Sequence, residues 1–191
     1  VGFDPLRIWI NEAHRRGIKV HIWFETFYVG NKPPETNAGY ILAKKPEWAN
    51  YQKKNADSET IAYSVSEHNG YFIDPANPEV QNFLYELLCE IITRYKPDGI
   101  NLDYIRYPQS LDTIYSNYDM SNWGYTKFAR EEFAKMYGVD PIELKFTDPL
   151  WYQWRAYRCN KVTSFVRRVS VLCRFNKIAI TTVIFPNRNL A

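Results

Sequence analysis

Asp98-Gly99-Ile100-Asn101-Leu102-Asp103-Tyr104-Ile105-Arg106-Tyr107-Pro108 sets the architecture of everything around it. Gly99 to Asp103 reads as a short buried strand that follows an amphipathic helix and ends in a polar, aromatic loop. That is the grammar of a βα-unit in a parallel sheet. Side chains alternate along a strand, so Ile100 and Leu102 share one face and Asn101 and Asp103 the other. In a closed barrel the first pair packs under helices and the second points inward. Asp103 then stands at the carboxyl end of its strand, where barrel enzymes keep their chemistry.

Working outward, Asp4-Pro5 supplies an N-cap and first-turn proline, Leu6, Trp9, Ile10 and Ala13 form a helical stripe, and Gly17 ends it. Ile18 to Phe24 alternates, with Val20, Ile22 and Phe24 on one face and Lys19, His21 and Trp23 on the other, continuing to Glu25. Glu25 thus occupies the same kind of place as Asp103. Residues 26 to 77 exceed an ordinary βα connection of ~2 to 6 residues, and long loops of this kind are usually functional. Within them, Tyr63 to Ile73 reads as a small hairpin centred on Asn69-Gly70. Asn77-Pro78-Glu79 opens a helix to Tyr95, and Trp123 to Tyr137 reads as a helix closed by Gly138. Asp148-Pro149 starts the longest helix, to Cys173, and Lys177 to Phe185 is the third clear strand.

Helices alternating with strands imply a parallel sheet with right-handed crossovers. Strands are expected at 18–24, 99–103 and 178–184, parallel and adjacent in that order with helices outside. A (β/α)8 TIM barrel uses about 250 residues and eight strands. The 191 residues therefore read as a single domain, 1–191, forming the centre of such an α/β barrel and cut at both ends.

Hydrophobic content of 46% with 24% charged residues describes a globular chain. A net charge of +3, with no separate Lys/Arg block, gives no reason to expect nucleic acid as a partner. Arg155, Arg158, Arg167 and Arg168 read as a solvated helix face. Cys89, Cys159 and Cys173 lie within helical patterns without ligand spacing and read as free thiols. No apolar run approaches the roughly 20 residues of a membrane span. Three His without His-x-His spacing leave a metal site without support, and no cofactor is expected.

Asp98 to Pro108 resembles the glycosyl-hydrolase-like family 10 of bacterial proteins, whose strand and loop read Asp-Gly-Ile-x-(Leu/Phe)-Asp followed by Tyr-Pro. Asp4-Pro5-Leu6, Glu12 to Gly17, His21-Ile22-Trp23-Phe24, Pro46-Glu47-Trp48, Asp74 to Val80 and the Trp154 to Val166 helix look like further blocks of that family, in its order. The resemblance implies a TIM-like barrel, hydrolysis of glycosidic bonds in a polysaccharide or oligosaccharide, and a bacterial setting that is secreted or in the cell envelope, periplasmic or lipoprotein. Two departures stand out: Glu25 where many members have Asn, and Lys161 where Asn is common. Gly99 to Asp103 is also similar to the nucleophile strand of α-amylase-type barrels, with Asn101 in place of Arg.

Glycoside hydrolysis uses two carboxyl groups, about 5 to 5.5 Å apart for retention and about 6.5 to 9.5 Å for inversion. Asp103 is the first choice as nucleophile or base, against a structural Asp bonded to Arg106 or loop amides. Glu25 is the best second carboxylate, because neighbouring strands lie ~4.8 Å apart and both acids would face one rim. The end of the next strand carries only Val183, Ile184 and Phe185, so Asp74, Glu67 or a residue beyond Ala191 are alternatives for the acid, and a substrate contact is the other role open to Glu25 and Asp74. His21, Trp23 and Asn101 are expected to contact sugar from the inner wall, and Tyr104, Arg106 and Tyr107 from the following loop. Trp48, Tyr51, Tyr115, Tyr118 and Trp123 could stack on sugar rings, although loop packing is favoured for any one of them. The competing class is a non-catalytic carbohydrate-binding barrel in which Asp103 only orients hydroxyls.

Overall fold

Gly99–Asp103 forms β4, the middle strand of a three-stranded parallel sheet. Its neighbours in this computed structural model, which describes residues 2–36, 40–109 and 122–184, are β1 (His21–Glu25) and β5 (Ala179–Thr182). Both pairings are parallel, with Phe24 opposite Leu102, Glu25 opposite Asp103 and Asn101 opposite Thr181. The expected order of strands holds. β1 starts later than the alternation suggested, because the Asp98 carboxylate takes the Val20 amide at 2.7 Å and the Val20 carbonyl takes the Asp98 amide, anchoring the chain just ahead of the ladder.

Ile100 and Leu102 are fully buried, together with Phe24, on the face covered by helices. That cover comes from α3 (Pro78–Tyr95), through Leu84, Leu88 and Ile92, and from α5 (Leu150–Phe175), through Phe165, Val169 and Cys173. Each such side chain, taken fully from water, contributes roughly 1.5–3 kcal/mol before entropy is counted. α1 (Pro5–Arg15) lies beside α3, capped by Asp4, and α3 is capped by Asn77, both with proline in the first turn as their sequences indicate.

A second core, built on Tyr125, Phe133, Trp154 and Tyr157, joins α4 (Lys127–Tyr137) to α5. α4 begins four residues later than the pattern suggested. Thr126 is its N-cap, accepting the Ala129 amide, and the preceding Trp123 and Tyr125 are buried in irregular chain. Arg158 departs from its expected solvated face: only 8% exposed, it donates to Asn122 Oδ1 and to the Trp123 carbonyl, and stacks over Trp154. Cys89, Cys159 and Cys173 are unpaired.

The excursion after β1 contains β2 (Tyr28–Gly30), antiparallel to β3 (Tyr71–Phe72), and α2 (Ile41–Lys44). The hairpin expected over Tyr63 to Ile73 shrinks to one bridge between Ser64 and Gly70. His68 and Asn69 both take left-handed φ, 57° and 59°, closing a turn too tight for a ladder, and Tyr71–Phe72 leave it to pair with β2 instead. Among the described residues no helix is long and apolar enough to cross a membrane, and no group of His, Cys, Asp and Glu could hold a metal ion.

Candidate active site

Parallel pairing in register delivers Glu25 and Asp103 to one rim, each as the last residue of its strand and each on the face turned away from the helices. Asp103 is held from three sides. Its Oδ2 accepts the Trp23 Nε1 hydrogen at 2.8 Å, its Oδ1 accepts the Tyr104 amide at 2.7 Å, and its carbonyl accepts the Thr26 amide at 2.8 Å. The Tyr104 amide reaches back because Tyr104 has φ 46°, an uncommon conformation for a side chain of this size. Its ring is stacked on Tyr28 with centroids 4.6 Å apart, and the Arg106 guanidinium carbon lies 5.0 Å from the centroid of the Tyr104 ring. Packing around the ring therefore maintains the strained backbone that aims the amide.

Among the described residues no such donor reaches the Glu25 carboxyl group. Partial burial pushes its carboxyl above the usual carboxylate range, and the neighbouring Asp103 charge pushes it further in the same direction. One carboxylate tied to two N–H donors and another inclined to keep its proton make an arrangement that can divide the two jobs of acid–base chemistry.

One inward step below, Asn101 Nδ2 donates to Thr181 Oγ1 at 2.9 Å, and Asn101 Oδ1 is enclosed without a hydrogen-bond partner among the described residues. Trp23 is 69% exposed, so its indole both donates to Asp103 and presents a free ring face at the rim. His21 is placed elsewhere. It lies over Gly99, where an added Cβ would come within 2.6 Å of its Nδ1, and four residues along β1 separate it from Glu25, about 13 Å.

The loop after β4 divides its side chains. Arg106 clamps the buried Glu67 with two hydrogen bonds of 3.0 and 2.9 Å, and Glu67 also accepts the Gln109 amide. A carboxylate committed to three donors is poorly suited to deliver a proton, which removes Glu67 from the candidate acids, and Arg106 is a loop brace with its charge already matched. Tyr107 is turned into the protein, where burial lifts its phenol well above the ordinary range. Asp74 is 1% exposed, accepting the Ala76 amide at 2.9 Å and the Thr126 hydroxyl at 2.5 Å, so it is enclosed away from solvent rather than offered to substrate. Trp48 and Trp123 are buried, Tyr51 is half-buried, and Tyr115 and Tyr118 lie outside the described residues. Reading the sequence missed Tyr28, Glu67 as a clamp, and Thr181. Only Thr181 carried a local signal, being the inward position of β5 level with Asn101.

The family described as Glycosyl hydrolase-like 10 matches residues 1–191. The chain belongs to that family. The resemblance read at Asp98 to Pro108 is thereby borne out. Among curated members, the chain is 31% identical to "Glycosyl hydrolase DigH" of Escherichia coli K12 over 112 residues, 57% of this chain and 24% of that protein. It is 25% identical to "Glycosyl hydrolase YngK" of Bacillus subtilis over 113 residues, 58% of this chain and 19% of that protein. The match thus spans about a quarter or less of these relatives' length. Among solved structures, "Alpha-L-fucosidase isoenzyme 2 from Paenibacillus thiaminolyticus" covers 96% of this chain and 23% of its own, with TM-score 0.54 and 17% identity. That likeness concerns the fold, an α/β barrel of the TIM type of which this chain supplies parallel strands and outer helices.

Proposed function

We propose that the chain carries the catalytic rim of a glycoside hydrolase that cleaves O-glycosidic bonds of a polysaccharide, bacterial cell-wall glycan being the leading substrate, in a secreted or cell-envelope setting. The observation that carries this reading is the pairing of Glu25 with Asp103 at the ends of adjacent parallel strands. Family membership and the names of the matched relatives support the chemistry. An inter-strand spacing of about 4.8 Å suits the roughly 5 to 5.5 Å separation of a retaining pair better than the wider inverting one.

In the reaction so proposed, an Asp103 oxygen attacks the anomeric carbon as the glycosidic C–O bond breaks, and Glu25 gives its proton to the departing oxygen. Water then displaces Asp103 from the sugar, giving its proton back to Glu25. Trp23 and the Tyr104 amide fix the direction from which Asp103 approaches, and the exposed Trp23 ring face is available to the sugar. The test is turnover of a glycan panel by the intact parent protein and by Asp103→Asn. Loss of product in the variant with retained sugar binding supports the reading; hydrolysis at the wild-type rate overturns it and makes Asp103 structural.

A further inference from the structure

Apart from the rim, the described residues contain a cleft of about 420 Å³ in the long excursion, walled on one side by Ser58 and residues 60–66 and on another by Gln109. Its polar lining includes the Gln109 amide and the hydroxyls of Thr60 and Ser66, with Gln52 and Asn55 capping each other's backbone in the wall, while Tyr63, 48% exposed, supplies an aromatic face. Among the described residues that line it there is no carboxylate, and Lys54 is the one charged group. Neutral donors and acceptors beside an exposed ring suit a polyhydroxylated ligand, since amides and hydroxyls can exchange hydrogen bonds with water for hydrogen bonds with sugar at little desolvation cost, and the ring covers the apolar face of a pyranose.

The cleft is tied to the rim by one stretch of chain. Tyr104, whose amide aims Asp103, and Gln109, which lines the cleft, lie five residues apart in the segment that follows β4. Glu67 binds that loop at Arg106 and at the Gln109 amide and is itself next to Ser66 in the cleft wall. Five residues reach at most about 18 Å even when fully extended, so a single oligosaccharide of a few rings spans both places. The geometry points to the cleft as a distal subsite that holds a further part of the same glycan chain, so that the protein prefers long, uncharged or sparsely charged oligosaccharides over short ones. This rests on the glycan-cleaving reading above and adds to it where the remainder of the chain lies.

The test uses the intact parent protein with β-1,4-linked N-acetylglucosamine oligosaccharides of increasing length and the corresponding glucose series as probes. Three variants are compared: Tyr63→Ala and Gln109→Ala remove cleft contacts, and Thr60→Trp fills the cleft from an exposed position. The expected result is a rise in KM, or in Kd measured in the Asp103→Asn background, of about fivefold to tenfold for the longest bound oligosaccharides, the loss of one hydrogen bond or ring contact, with the shortest unaffected. Short and long oligosaccharides bound and cleaved by the variants as by the wild type would overturn the subsite and leave the hydrolase standing. Length-dependent binding that the cleft variants abolish, in a protein that cleaves nothing, would keep the subsite and overturn the hydrolase. No binding of any probe by the wild-type protein would overturn both.

Discussion

The β1–β4 rim and the buried polar centre around Asp74 each hold a carboxyl group raised above its ordinary range, and they do so in opposite ways. Glu25 stands on an exposed strand face beside a second carboxylate, with its proton affinity raised first by partial burial and then by Asp103. Asp74 is enclosed, lifted to about 6 by burial and drawn partly back by the Thr126 hydroxyl, the Ala76 amide and the Lys161 charge. Nearby, Tyr107 and Arg158 close over Gly124, where an added Cβ would meet Arg158 Cδ at 2.8 Å and Tyr107 Cε1 at 2.9 Å, and Asp74 itself is only 1% exposed. A raised carboxyl is therefore not a site by itself. Access to solvent, a partner carboxylate in register and a free ring face separate the group that can act on a ligand from the group that holds the fold.

The comparison breaks most severely if Asp103 proves dispensable. In the parent protein Asp103→Asn is expected to lower kcat by about a thousandfold or more, because the amide preserves the shape and one of the two side-chain hydrogen bonds but has no carboxylate to attack the anomeric carbon or stabilise its developing charge. Glu25→Gln is expected to cost about a hundredfold to ten-thousandfold, the usual range for a general acid, with the loss smallest on substrates whose leaving group needs no proton. Comparing an aryl glycoside with an alkyl glycoside reads that difference. Equal losses on both would move Glu25 from proton donor to substrate contact.

How far these roles could be read from the chain follows from the range of the forces behind them. The faces of β1 and β4 follow a period of two, so the burial of Ile100 and Leu102 and the opposite placement of Asn101 and Asp103 were legible residue by residue. Asn77-Pro78 marked the start of α3 correctly because capping is local chemistry. The Asp74–Thr126 hydrogen bond joins residues 52 apart and the Arg106–Glu67 clamp residues 39 apart, and no local pattern records either. Arg158 looked like part of a charged helix face because Arg155, Arg167 and Arg168 share its helix; Trp154, one turn earlier, was a local hint, but the acceptors at Asn122 and Trp123 that draw it inward lie 36 and 35 residues away and come from the tertiary fold.

Asp74→Asn sharpens the contrast through stability. The folded state holds the Asp74 proton up to about pH 6, against an unfolded value of about 3.9. In that window the native state binds more protons than the unfolded chain, so this group's contribution is present below about pH 4 and is lost as pH rises towards 6. The difference is on the order of 2 to 3 kcal/mol. Asn cannot ionise, so denaturant titrations at pH 4 and pH 7 are expected to show wild type losing stability relative to Asp74→Asn by about that amount as pH rises. Turnover is expected to change little, since Asp74 meets no substrate. A large loss of kcat with unchanged stability would place Asp74 in the chemistry after all and erase the distinction between the two regions.

The smallest effect is expected from Trp23→Phe, and it tests whether the rim depends on orientation as well as on charge. Phe keeps an aromatic face for the sugar but removes the Nε1 hydrogen that Asp103 Oδ2 accepts at 2.8 Å. A hydrogen bond to a charged group contributes about 1.5–3 kcal/mol when well enclosed, and less here because Trp23 is 69% exposed and water can substitute. A loss of about 1 kcal/mol in transition-state stabilisation corresponds to a fivefold to tenfold fall in kcat. KM should barely move, since the ring face that meets the sugar is retained. Trp23→Ala is the sharper companion, because it removes donor and ring together and should raise KM as well as lower kcat. If Trp23→Phe instead raised KM and left kcat untouched, the indole would be a binding surface only, and the Tyr104 amide alone would be orienting Asp103.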